Sequence, residues 1–237
     1  MVSQNAIPSK HLLRIFTKRK KMKRYLNIIP ALLLLLVLFS CDAISQKKTD
    51  VIKVKLTAPK GKAIAAFAEG CFWCSEHIFE AVVGIDSAVS GYAGGTVPNP
   101  TYDLVNTETT GHAETVLVYY DPKLISYAEL CKVFFASHDP TTPNQQGPDK
   151  GTSYRSILFY SGPAEKAAAQ QAVKDMTTSG KFKKSIVTEL KPLTEFYRAE
   201  EYHQDYIEHN PSQGYVRAVS IPRFELFKKT YNGRLKF

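Results

Sequence analysis

Two cysteines three positions apart, Cys71 and Cys74, carry the most reactive chemistry in this sequence. About one helical turn separates them, so one sulfur can reach the other. The apolar run Ala63-Ile64-Ala65-Ala66-Phe67-Ala68 precedes them and reads as a strand, whereas Ile78, Phe79 and Val82 follow at helical spacing. Cys71 therefore falls where a strand passes into a helix. The unpaired N–H groups of a helix start favour a thiolate, the form that acts as nucleophile. Trp73, the only tryptophan, stands between the two thiols. A Cys-x-x-Cys pair can be redox-active, a structural disulfide or part of a zinc site. Structural zinc takes about four ligands and no second close pair exists, so no metal is expected and the redox pair is favoured.

Other residue types complete a candidate site. Glu114 opens the apolar run Thr115-Val116-Leu117-Val118-Tyr119-Tyr120. A carboxyl at a buried strand edge has a raised pKa and can serve as a general acid, although a surface carboxylate is the simpler reading of the residue alone. Tyr102 lies in a Pro-rich loop, Asp149 and Tyr154 flank a Gly-Thr turn, and Tyr206 sits on a short helix. Read singly, each tyrosine is a packed aromatic. His112 and His203 are as easily structural as basic.

The elements that must position these groups alternate from Lys62 onward. Strands are expected at 63–69, 86–91, 113–120, 154–160 and 184–190, and helices at 72–83, 126–137, 163–178 and briefly near 199–207. In 126–137, Tyr127, Leu130, Cys131, Phe134 and Phe135 make one apolar face. Pro163 opens the Ala-rich helix in its first turn. Gly- and Pro-rich stretches at 91–110 and 139–152 read as long loops, which suits a site built from loops on a rigid scaffold. The pattern gives a single α+β domain over 62–237, with a mostly irregular C-terminal tail after Tyr206.

Composition narrows the function further. Hydrophobic content of 44% with 13 Phe and 13 Tyr suits a packed core. The net charge of +9 suggests a phosphate partner, but eight of the 31 basic residues lie in residues 1–24 with no acid among them. The remaining 23 nearly balance the 22 acids, so no nucleic acid is expected. Lys23 and Arg24 precede an apolar run from Ile28 to Phe39, short of the roughly 20 residues a membrane span takes and right for a signal segment. Leu38-Phe39-Ser40-Cys41 resembles a bacterial lipoprotein signal, cleaved before Cys41 and lipidated there. Residues 1–40 are thus expected to target the chain, with translation starting at Met22, and polar residues 41–61 to tether the body. The protein is expected in a bacterial cell envelope, lipid-anchored to a membrane outside the cytoplasm.

Gly70-Cys71-Phe72-Trp73 resembles the signature of the A-type peptide-methionine sulfoxide reductases. Six further blocks match in order: Gly91-Tyr92-Ala93-Gly94-Gly95, Pro98-Asn99-Pro100-Thr101-Tyr102, Gly111-His112-Ala113-Glu114, His138-Asp139-Pro140, Asp149 to Ser156, and His203-Gln204-Asp205-Tyr206. The resemblance runs from about Lys62 to about Tyr215. It implies a two-layer α/β sandwich with a mixed sheet and reduction of methionine S-sulfoxide, free or in proteins. It makes Cys71 the nucleophile and Glu114 the acid, with Tyr102 and Tyr154 donating hydrogen bonds to the sulfoxide oxygen. Asp149 and Tyr206 would give polar support, and Phe72 and Trp73 an apolar wall for the methyl group. Thioredoxin or a similar dithiol would recycle the enzyme, with no metal or organic cofactor.

Many members resembling this chain carry a cysteine after a C-terminal Gly-Tyr, but Gly214-Tyr215 is followed here by Val216 and no cysteine occurs after Cys131. Cys74, one turn from Cys71, is expected to resolve the sulfenic acid. Cys131, on an apolar helix face, is the other candidate. Two rival readings remain at this level: a general thiol–disulfide oxidoreductase built on Cys71-x-x-Cys74, and a lipid-tethered binding protein in which the pair is a static bond.

Overall fold

The computed structural model describes residues 51–237. The expected signal segment, the expected start at Met22, the lipidation expected at Cys41 and residues 42–50 of the expected tether lie outside the described residues. Strand β1 (Ile52–Lys53) is followed by β2 (Ala63–Glu69), helix α1 (Phe72–Glu80), β3 (Ile85–Ala93), β4 (Ala113–Tyr120) and α2 (Tyr127–Ser137). Then come β5 (Ser156–Tyr160), α3 (Pro163–Thr178), β6 (Glu189–Pro192), β7 (Tyr197–Arg198) and α4 (Ile221–Thr230). The seven strands form one sheet in the order β1-β7-β3-β4-β2-β5-β6. All neighbours are antiparallel except β5 and β6, which makes the sheet mixed.

Period-two alternation gives the sheet two buried faces. Phe67, Val116, Val118 and Leu158 point to one face, where Phe79 of α1, Phe134 of α2, Ala169 of α3 and Phe227 of α4 meet them. Phe67 stacks on Phe79 with ring centroids 4.8 Å apart. All four helices thus cover one face, the two-layer arrangement expected. The opposite face, with Ala66, Leu117, Ile157 and Phe159, carries no helix among the described residues. Phe196, Leu193, Val54 and Leu56 cover it instead.

That covering corrects the reading of residues 41–61 as a tether. Ile52 and Lys53 pair with Arg198 and Tyr197, and Val54 N–H donates to Phe196 O at 2.9 Å. Residues from about 51 belong to the body, because an uncovered apolar sheet face would otherwise meet water.

Most other elements fall where the pattern places them. Strands 63–69 and 113–120 and helix 163–178 agree with the expected bounds, and Ser126 and Glu129 start α2 with a reciprocal capping box. Four segments differ. The strand expected at 184–190 forms only at 189–192, where its parallel partner β5 lies alongside. The loop after residue 91 holds a short helix, Tyr102–Val105, capped by the Thr101 hydroxyl. The helix near 199–207 is a 3-10 turn, Glu201–His203, and a separate turn, Tyr206–His209, broken at Asp205 (φ 50°). The tail is irregular at 210–213 and, apart from a bridge between Leu235 and Val82, at 231–237, but between them a helix begins at Gly214 and passes through a π turn, Val216–Ser220, into α4. Pro222 does not break this helix: it sits at the junction where the π turn becomes α4.

Candidate active site

Antiparallel pairing decides where the chemistry gathers. Glu69 at the end of β2 faces Ser156 at the start of β5, and Tyr92 at the end of β3 faces Glu114 at the start of β4. The end of β2, the end of β3 and the starts of β4 and β5 therefore share one end of the sheet. Cys71 follows β2, Tyr102 follows β3, Glu114 opens β4 and Tyr154 precedes β5. Gly70 makes the turn from β2 into α1 at φ +91°; a Cβ there would meet the Gln146 Cβ at 2.5 Å, so glycine is required.

Cys71 is the N-cap of α1 and is buried, as are Phe72 and Cys74. The Phe72 N–H donates to Glu114 Oε2 at 2.9 Å, which aims the carboxyl at the helix start. Burial raises the Glu114 pKa to about 8, against the pull of that hydrogen bond. Glu114 is therefore protonated at neutral pH and able to give a proton. Burial, then the charge of Glu114, raises Tyr102 and Tyr154 as well, so both hydroxyls stay protonated donors.

The thiols differ from the expectation that Cys71 is the low-pKa partner. Burial pushes the Cys71 thiol well up, and Cys74 and Glu114 add to it. Cys74 is lowered to about 6, first by the Cys71 thiol beside it, then by the charge of Arg223 and the Ser220 hydroxyl. The helix start does not overcome desolvation at Cys71, and the pair's negative charge settles on Cys74. Both thiols are free, as is Cys131. Cys131 is fully buried on α2, its pKa pushed up to about 12 by burial.

An aromatic enclosure surrounds the pair. The Trp73 indole stacks on Tyr206 at 3.7 Å and meets Tyr215 edge-on at 6.0 Å. Its N–H donates to His203 Nδ1 at 3.0 Å. Burial lowers His203 to about 4, so the ring is neutral and Nδ1 can accept. Phe72 and Tyr102 lie nearly parallel, 6.5 Å apart. The Tyr215 hydroxyl donates to Asp149, whose pKa burial raises. The nine expected body residues thus gather at one end of the sheet. The expectation missed Tyr215, Ser220 and Arg223, all in the supposedly irregular tail. Val216, Ser220, Phe224 and Phe227, at steps of four, four and three, are buried and were the available signal.

Such a site is suited to move two electrons between sulfur centres, which is the work of a thiol-dependent oxidoreductase. Among the described residues no group of three or more His, Cys, Asp or Glu could hold a metal ion. The model of the peptide methionine sulfoxide reductase family matches residues 63–235. The chain is 43% identical to peptide methionine sulfoxide reductase MsrA 1 of Rhodopirellula baltica over 188 residues, 79% of this chain and 96% of that one. It is 45% identical to the MsrA of Deinococcus radiodurans, covering 73% of this chain and 84% of the relative. Among solved structures, reduced Mxr1 of Saccharomyces cerevisiae aligns with a TM-score of 0.62 at 35% identity, over 69% of this chain and 91% of that one. Methionine sulfoxide reductase A of Corynebacterium diphtheriae aligns at 0.58 and 34% identity, over 65% of this chain and 78% of that one. The chain belongs to the peptide methionine sulfoxide reductase family.

Proposed function

We propose that Cys71 is the nucleophile with which this chain reduces methionine S-sulfoxide, and that Cys74 resolves the product. The observation that carries this reading is the buried Glu114 carboxyl, which accepts the Phe72 N–H at the helix start that Cys71 caps and whose pKa burial raises. The sulfoxide enters with its methyl group against Phe72 and Trp73. Tyr102 and Tyr154 donate hydrogen bonds to its oxygen, while Asp149 and Tyr206 hold the surrounding polar and aromatic groups. The Cys71 sulfur attacks the sulfoxide sulfur as its proton passes to Cys74. Glu114 gives its proton to the oxygen, and methionine leaves with Cys71 as the sulfenic acid. Cys74 then condenses with that sulfenic acid, releasing water and forming a disulfide. Cys131 is a poor resolving candidate, being fully buried with a thiol that ionises only near pH 12.

Recycling by thioredoxin or a similar dithiol completes the cycle. A plain thiol–disulfide oxidoreductase would leave the protonated carboxyl and the aromatic enclosure without a role. An assay of separated methyl p-tolyl sulfoxide epimers with dithiothreitol tests the assignment: only the S epimer should be consumed, and Cys71→Ser should abolish turnover. Consumption of both epimers, or activity in Cys71→Ser, would overturn it. Cys74→Ser should complete one turnover yet lose thioredoxin-supported cycling.

Location is a separate proposal, supported by the sequence before residue 51. Cys41 carries lipid and holds the enzyme to an envelope membrane outside the cytoplasm, and Cys41→Ala should release it. Among the described residues no helix is long and apolar enough to cross a membrane. Recovery of wild-type protein wholly in a detergent-free soluble fraction would sink the anchor.

A further inference from the structure

The C-terminal segment touches the dithiol directly. The π turn 216–220 runs into α4 and brings Ser220 and Arg223, three residues apart, to the same side. Inserted π turns recur at functional sites. Ser220 is buried, with Oγ 3.2 Å from Cys74 Sγ. The Arg223 side chain is only 12% exposed. Its Nε donates to Ser137 O at 2.8 Å, and Nη2 donates to Glu69 O and Oε1, each at 3.0 Å. These bonds hold the guanidinium over the strand–helix turn that carries both cysteines: a Cβ on Gly70 would lie 3.7 Å from Nη1.

We propose that Ser220 and Arg223 are positioning residues for the second half of the cycle, holding Cys74 as the thiolate that attacks the Cys71 sulfenic acid. The inference rests on the reading of Cys74 as the resolving cysteine. In that step the Cys74 electron pair forms the S–S bond, the S–O bond of the sulfenic acid breaks, and the departing hydroxide takes the proton that Cys74 received from Cys71, leaving as water. Only the thiolate is an effective attacker. A hydroxyl supplies one hydrogen bond to it, and a guanidinium supplies charge while remaining protonated itself.

The groups facing Cys74 pull in both directions. Burial opposes ionisation, as does the charge of Asp149, which lies in a hairpin pairing Gln145–Gln146 with Asp149–Lys150; Glu114 and Glu69 add to that only in their ionised forms. Burial raises Glu69 to about 7, so near neutral pH it is partly protonated and screens Arg223 less. Tyr215 stays a neutral phenol. Cys71, Arg223 and Ser220 prevail, and Cys74 falls to about 6. The same stabilisation makes Cys74 a better leaving group when the disulfide is reduced.

The test measures ionisation and resolution separately. Reduced enzyme is titrated by thiolate ultraviolet absorbance, with Cys74→Ser as the blank. Quenched-flow mass spectrometry then follows loss of the Cys71 sulfenic acid across pH. Ser220→Ala and Arg223→Gln should each raise the Cys74 midpoint by about one unit, about tenfold less thiolate at any pH below it. Both should slow resolution in parallel, and Arg223→Lys should restore most of the shift. A purely structural role would lower the melting temperature and leave the midpoint in place. Ser220→Ala removes a single oxygen, so it carries the test even where Arg223→Gln does not fold. An unshifted midpoint in the folded variants overturns the inference. A Cys71–Cys131 bond in the wild type would instead overturn the resolving reading, and the substrate-free titration separates the two failures.

Discussion

Proton supply is the point on which single residues decide the proposed first half-reaction. Glu114 donates only while protonated. Its pKa is raised to about 8, so the donor form is complete well below that pH and is lost as pH rises through it. The first-turnover rate of wild-type enzyme should therefore hold level at neutral pH and fall above about 8. Glu114→Gln keeps the shape without the proton, and should run about 100- to 10,000-fold slower with no such fall. Single-turnover methionine yield across pH checks both outcomes, and a wild-type rate still rising well past pH 8 would remove Glu114 from the role. The residue types of this site were legible because a Cys-x-x-Cys pair at a strand end is rare and the tyrosines sit in matching blocks. The ionisation of the thiols was not. It depends on Arg223, far along the chain from Cys74, and on burial that no local pattern reports.

At the scale of elements, the turn from β2 into α1 sets the position of Cys71, the proposed nucleophile. Gly70 at φ +91° leaves no room for a side chain against Gln146. Gly70→Ala should cost about 1–3 kcal/mol through backbone strain and displace Cys71 with the helix start. Urea unfolding would show the lost stability, and first-turnover kinetics a loss of rate beyond it. Unchanged kinetics would mean that the helix start tolerates the shift. Elements with strong internal signals were readable: β2 and β4 from their apolar runs, α2 from its capping box and five-residue apolar face, α3 from Pro163 and its alanines. Those defined by a distant partner were not. β6 exists where β5 lies alongside, and β1 is two residues whose polar neighbours looked like linker. The Tyr102–Val105 helix was hidden by Pro98 and Pro100, although Thr101 supplies an ordinary N-cap signal.

For the molecule as a whole, the sheet face without helices makes residues 51–56 part of the fold. Val54 and Leu56 pack against the Leu117 and Phe196 cluster. A chain beginning at Lys62 should be less stable than one beginning at Val51 by about 2–4 kcal/mol, from apolar side chains worth roughly 1.5–3 kcal/mol each when fully buried. Chemical denaturation of the two forms checks this, and equal midpoints would restore the tether reading. The burial of Cys71, only 5% exposed, reaches beyond this protein to its targets. A thiol that little exposed is met most readily by a side chain that projects from its own surface. A sulfoxide locked in a target's core is thus out of reach until the target opens. Yet the polar S=O group weakens the very core that hides it. Damage and access then become linked: the oxidised protein loosens, offers the lesion, is repaired, and closes again. Repair of a buried lesion should follow the target's own opening equilibrium, slow in robust hosts and fast in fragile ones, with no need for the enzyme to recognise any partner by shape.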